Sequence, residues 1–77
     1  MKELLILMAK GLVEDPEAVV VTEDEPTEDG TVVLHLKVAA DDMGRVIGKQ
    51  GRIARSIRTV LKAYATKNKE KASLDIV

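Results

Sequence analysis

Arg45-Val46-Ile47-Gly48-Lys49-Gln50-Gly51-Arg52-Ile53 joins a short helical pattern to a long one through two glycines that bracket two polar residues. Glycine at both ends of Gly48-Lys49-Gln50-Gly51 lets the backbone turn sharply. With no Cβ, it also lets a ligand come up against the main chain. A helix follows at once, so unpaired N–H groups and the positive dipole end face whatever occupies the turn. The preferred occupant is an anion, most often phosphate. A bare G-x-x-G also spells an ordinary helix-turn-helix corner. Arg45 and Arg52 on either side, with Lys49 inside, set this one apart.

Working outward, Asp41 can cap a short helix over about 42–47, with Asp41 or Asp42 favourable at its positive end. Beyond the turn, residues 52–67 form the strongest helical pattern in the chain. At ~100° per residue, Ile53, Ile57, Val60, Leu61 and Tyr64 gather on one face, while Arg52, Arg55, Arg58 and Lys62 gather on the other. Asn68 is a stop, and Lys67 and Lys69 suit the negative end of the dipole. Upstream, residues 31–39 alternate: Val32, Leu34, Leu36 and Val38 face one way, Thr31, His35 and Lys37 the other. That is a half-buried strand. Residues 18–23 are short and β-branched, a second strand. The acidic segment Glu23 to Gly30, with Pro26 and Asp29-Gly30, closes the two into a hairpin.

At the ends of the chain, residues 2–12 read as a helix that the Asp15-Pro16 pair keeps from extending. Leu4, Leu5, Met8 and Leu12 fall on one stripe, so this helix is expected to be largely buried. Ala72, Leu74 and Ile76 alternate with Ser73 and Asp75 in a last strand. The order is α-β-β-α-α-β. A right-handed helical crossover leaves the second and third strands parallel. The expected fold class is therefore α+β, a three-stranded mixed sheet with helices packed on one face.

Seventy-seven residues suit one domain near the lower limit for a chain that folds without staples. No cysteine is present, which excludes disulfides and thiolate metal sites. Hydrophobic residues at 45% and charged residues at 32% describe a globular chain, not a disordered one. Phe and Trp are absent, so the core must be Leu, Ile, Val, Met and Ala, with Tyr64 the one aromatic ring. A core so small favours a partner subunit. The net charge of −1 conceals a polarity. Residues 1–44 hold three basic side chains against eleven acidic, net −8; residues 45–71 hold nine basic against one acidic, net +8. An acidic ligand at one pole is the implication. The apolar run Leu4 to Ala9 is too short for a signal peptide, and no stretch approaches the ~18 to 20 apolar residues that cross a bilayer. The expected setting is cytoplasmic, without a membrane partner.

Catalysis finds no support. His35 is the sole histidine and lies on the polar face of a regular strand, while Ser56 and Ser73 have no evident base partner. No ligand set for a metal exists. Gly44 to Lys49 superficially suggests a nucleotide P-loop, but the glycines enclose three residues where four are needed, Gln50 replaces the hydroxyl, and a helix precedes the motif. No cofactor and no small-molecule substrate are implied. Single-stranded nucleic acid fits better, since it needs a positive track and an apolar surface for bases. Arg52, Arg55 and Arg58 can supply the track. Val46, Ile47 and Ile53, with strand residues such as Leu36 or Val38, can supply the surface. Without aromatic rings the ~1–3 kcal/mol per stacked base is missing, so weak binding is expected.

Val46-Ile47-Gly48-Lys49-Gln50-Gly51 resembles the V-I-G-x-x-G signature of K-homology (KH) domains, whose G-x-x-G loop clamps the backbone of about four nucleotides. The element order matches the type II arrangement, and the resemblance covers residues 1–77 as a single KH domain. The chain is similar to the small stand-alone bacterial KH proteins of the KhpA (YlqC) family. That resemblance implies a non-catalytic single-stranded RNA-binding protein with modest sequence preference. It further implies an RNA chaperone acting in post-transcriptional regulation, linked to cell shape, as a homodimer or paired with a larger KH-containing protein. Carried onto this chain, Gly48, Lys49, Gln50 and Gly51 hold the RNA backbone. Ile47 and Ile53 line a groove for bases, and Arg45, Arg52 and Arg55 stand at its rim. A different class of role is a dimerisation or adaptor subunit whose RNA contact is made mainly by the partner; the apolar first helix and small core motivate it.

Overall fold

The alternation read between residues 31 and 39 builds the centre of the sheet. In the computed structural model, which describes residues 1–76 and leaves Val77 of the expected domain outside them, Leu34 and Leu36 are fully buried. They belong to β2 (Thr31–Lys37), flanked by β1 (Val20–Glu23) and β3 (Lys71–Ile76) in the order β1-β2-β3. β1 runs antiparallel to β2, with Val21 opposite Leu36; β3 runs parallel to it, with Leu74 opposite Leu34. The parallel pair is what a helical crossover demands. Among the described residues three α-helices form the second layer: α1 (Lys2–Leu12), α2 (Met43–Ile47) and α3 (Arg52–Lys67). The α+β class and the element order are as the residues indicated. No helix among the described residues is long and apolar enough to cross a membrane.

The core is entirely aliphatic: Leu5, Ala9, Val21, Leu34, Leu36, Val38, Val46, Ile57, Leu61 and Leu74 pack as one cluster. Each fully buried Leu contributes about 1.5–3 kcal/mol through its removal from water.

Four expectations about the elements shift. β1 begins at Val20 instead of residue 18, because Pro16 opens a 3-10 turn over Pro16–Ala18; its fixed φ suits a helical first position. β2 stops at Lys37, where the chain bends toward a second 3-10 turn at Ala40–Asp42, although Val38 remains buried. α1 is half-buried, not largely buried. It packs against β1 and α3 along a narrow stripe, so Leu5 and Ala9 are covered while Leu7 is 71% exposed. Finally, α3 turns Ala54, Ile57, Leu61 and Ala65 inward and leaves Val60 44% and Tyr64 42% exposed. The two alanines are almost fully buried, which a reading weighted toward large side chains passes over.

Candidate nucleic-acid interface

α2 has only five residues, too few to hold itself in water. Asp42, 3% exposed, anchors its start. Its Oδ1 accepts the Glu14 N–H and its Oδ2 the Asp15 N–H, each at 3.1 Å. Asp41 was expected to cap this helix, with either acid favourable at its start; neither carboxylate makes a cap bond there, and Asp42 instead ties down the segment after α1. Arg45, in the last turn of α2, extends the cluster. Its Nη2 lies 2.7 Å from Glu14 Oε1 and its Nε 3.5 Å from Asp42 Oδ1.

The turn itself is left-handed at three positions. Gly48 has φ +73°, Gln50 φ +58° and Gly51 φ +74°. The two glycines are required for different reasons. A Cβ on Gly48 would sit 2.6 Å from Ile53 Cγ1, so the side chain of Ile53 fills the space a larger residue would take. Around Gly51 there is open space, and only the backbone angle selects for glycine. The turn spends several of its own amides: Gly48 N–H donates to Gly44 O at 2.9 Å, Gly51 N–H to Gly48 O at 3.2 Å, and Arg52 N–H to Lys49 O. It is thus less rich in bare N–H groups than its sequence suggests. Its positive charge is available. Lys49, Arg52 and Arg55 are exposed and take part in no ion pair among the described residues.

The aliphatic surface differs from expectation. Val46, Leu36 and Val38 are 0%, 0% and 5% exposed, so they belong to the core and offer nothing to a ligand. Ile47, at 38%, is open, and Ile53 is half-buried. Ile53 opens onto a neutral groove of about 420 Å³ formed with Leu7, Met8 and Leu12 of α1 and Ile57 and Val60 of α3. The α1 side of this groove escaped the sequence reading, and exposed Leu7 was the signal that a second stripe was present. On the opposite flank of α3, Arg58 Nε donates to Leu74 O at 3.4 Å. There Arg58 and Lys62 line a cleft of about 290 Å³ with Ala72, Ser73 and Leu74 of β3. Arg58 is therefore oriented by the sheet edge and is not a loose solubilising side chain.

A G-x-x-G turn between two helices, set on one face of a three-stranded mixed sheet in the order α-β-β-α-α-β, defines a type II KH domain. The family description KhpA/KhpB, KH domain, matches residues 2–76. The chain belongs to that family. It is 51% identical over the full length of both chains to the RNA-binding protein KhpA of Clostridium acetobutylicum, and 52% identical over the same extent to that of Clostridium perfringens. Among solved structures it resembles Aquifex aeolicus Era bound to GDP·AlF4−, with a TM-score of 0.67 at 19% identity, covering 97% of this chain and 28% of that one. At that identity the likeness supports the fold alone.

Proposed function

We propose that this chain is a non-catalytic, single-stranded RNA-binding protein, one KH module over residues 1–77, that grips the RNA backbone at Gly48-Lys49-Gln50-Gly51. The observation that carries this reading is the exposed Lys49, without an ion pair among the described residues, at the tip of a left-handed turn, with Arg52 and Arg55 in the first turn of α3 behind it. The names of its relatives, RNA-binding protein KhpA, support the same ligand class. Bases lie beside the turn, against Ile47 and Ile53 and along the cleft that Arg58 and Lys62 border. Weak contacts without aromatic stacking suit an RNA chaperone, which must release what it remodels. A cytoplasmic role in post-transcriptional regulation, bearing on cell shape, fits that chemistry.

Replacing Lys49 and Gln50 together by Asp tests the loop. Binding to a single-stranded RNA should vanish while helicity stays intact by circular dichroism; undiminished binding would move the site elsewhere. In the parent protein, three or four phosphate contacts imply a slope of log K against log salt of roughly −2 to −3, at ~0.7 per phosphate on single strands.

The adaptor reading is favoured by one observation: Leu7 and Val60, which line the neutral groove, are 71% and 44% exposed. A second copy, or another KH-containing protein, would cover such a face. Sedimentation separates the readings, since a monomer that binds RNA at full strength removes the need for a partner.

A further inference from the structure

Arg45 stands at the rim of the proposed RNA loop, three residues before Gly48, and its guanidinium already pairs with two carboxylates. One side lies 3.5 Å from Asp42, which is buried and fixed by two backbone amides. On the same edge, the guanidinium Nη2 lies 2.7 Å from the carboxylate of Glu14. These two acids differ in kind. Asp42 is held by the fold and cannot leave. The Glu14 side chain is 75% exposed and the Arg45 side chain 52% exposed, so their pair is open to water. Because Asp42 grips the Glu14 backbone N–H, the Glu14 carboxylate is kept within reach of Arg45 even when it is displaced.

The geometry points to Glu14 as a built-in competitor for the RNA backbone, an intramolecular carboxylate that occupies Arg45 until a phosphate replaces it. This inference rests on the RNA-binding reading given above. Guanidinium donates to carboxylate and phosphate oxygens through the same fork of N–H groups, so the exchange needs no change of geometry at Arg45. An ion pair this exposed is weak, which lets a polyanion win the exchange and lets Glu14 return when the RNA departs. The device lowers affinity and favours release.

The test is a double-mutant cycle on the full chain, read as affinity for a single-stranded oligoribonucleotide at fixed low salt. Glu14→Gln should tighten binding about twofold to fivefold, the range that loss of one exposed ion pair allows. Glu17→Gln removes the same charge from the neighbouring 3-10 turn and gauges the general effect of net charge. In an Arg45→Gln background the gain from Glu14→Gln should shrink to that gauge. A gain no larger than that of Glu17→Gln, or one that persists in full without Arg45, overturns the inference while leaving the RNA site in place. Should Arg45→Gln fold poorly, the parent protein still decides. The ¹³C resonance of the Glu14 carboxylate should shift on adding RNA, and a carboxylate that stays unmoved at saturating RNA refutes the exchange. A parent protein that binds no RNA overturns both readings, and only that result does.

Discussion

The two flanks of α3 face different chemistry although they belong to one helix. Toward α1 lies a groove walled by Leu7, Met8, Leu12, Ile53, Ile57 and Val60 without a single charge. Toward β3 lies a cleft bordered by Arg58 and Lys62 beside the edge of a strand. The groove begins at Ile53, beside the Gly48–Gly51 turn, whereas the cleft lies at the middle of the helix, between Arg58 and Lys62. The sequence polarity of −8 against +8 gives no hint of this division, because it averages over faces that point in opposite directions. A charge run acquires meaning only once the helix has chosen which stripe to bury. Ala54 and Ala65, by going inward, send the arginines to one flank and leave Ile53 and Val60 on the other.

The sharpest break of this arrangement is at its root, where Gly48 and Ile53 touch. Gly48→Ala must both hold a left-handed φ and displace Ile53, costs that together come to about 2–4 kcal/mol. Gly51→Ala meets the backbone cost alone, about 1 kcal/mol, since nothing lies within 4 Å. Urea titrations of the two variants should therefore differ clearly in midpoint. Equal losses would mean that Ile53 yields freely and that the neutral flank is not tied to the turn.

Next in size is the charged flank. Reversing Arg58 and Lys62 to Glu should weaken RNA binding on the order of tenfold to a hundredfold and flatten the salt slope by about 1.4, two phosphates' worth on a single strand. Val60→Asp on the other flank should leave RNA affinity at parental strength and instead shift any dimer toward monomer in sedimentation. If Val60→Asp abolished RNA binding and the double reversal did not, the roles assigned to the flanks would be exchanged.

Much of this was readable from the residues and some was not, for physical reasons. The sheet centre was plain because Val32, Leu34, Leu36 and Val38 alternate without interruption, and period two has one interpretation. The turn was plain because two glycines next to three cations are rare by chance. The inward face of α3 was misplaced by Val60 and Tyr64, large side chains that size-weighted periodicity pulls into the core. Asp42 was assigned to its own helix because capping is a local habit, whereas its actual donors, Glu14 and Asp15, are 28 and 27 residues away. The ion pair that occupies Arg45 went unseen for the same reason: a sequence shows charges but not which long-range neighbour reaches them.

The smallest effect lies on the sheet face away from both flanks and serves to isolate them. His35 stands between Asp24, 2.6 Å from its Nε2, and Asp75, 3.5 Å from its Nδ1, so a single ring links the end of β1, the middle of β2 and β3. The hydrogen bond to Asp24 raises its pKa above the ordinary 6.5; partial desolvation opposes this, and the charges of Asp24 and Asp75 reinforce it. A group whose folded pKa is raised contributes stability that is complete below 6.5 and is lost as pH climbs through the folded value. The melting temperature should therefore fall slightly between about pH 6 and pH 8, and His35→Gln should remove that dependence. RNA affinity of the same variant should keep its parental pH profile, because His35 is the sole histidine and lies on the sheet face away from both flanks of α3. A matching pH dependence in affinity that disappears with His35 would place the open sheet face in contact with RNA, and the division of labour would then have to extend beyond the two sides of one helix.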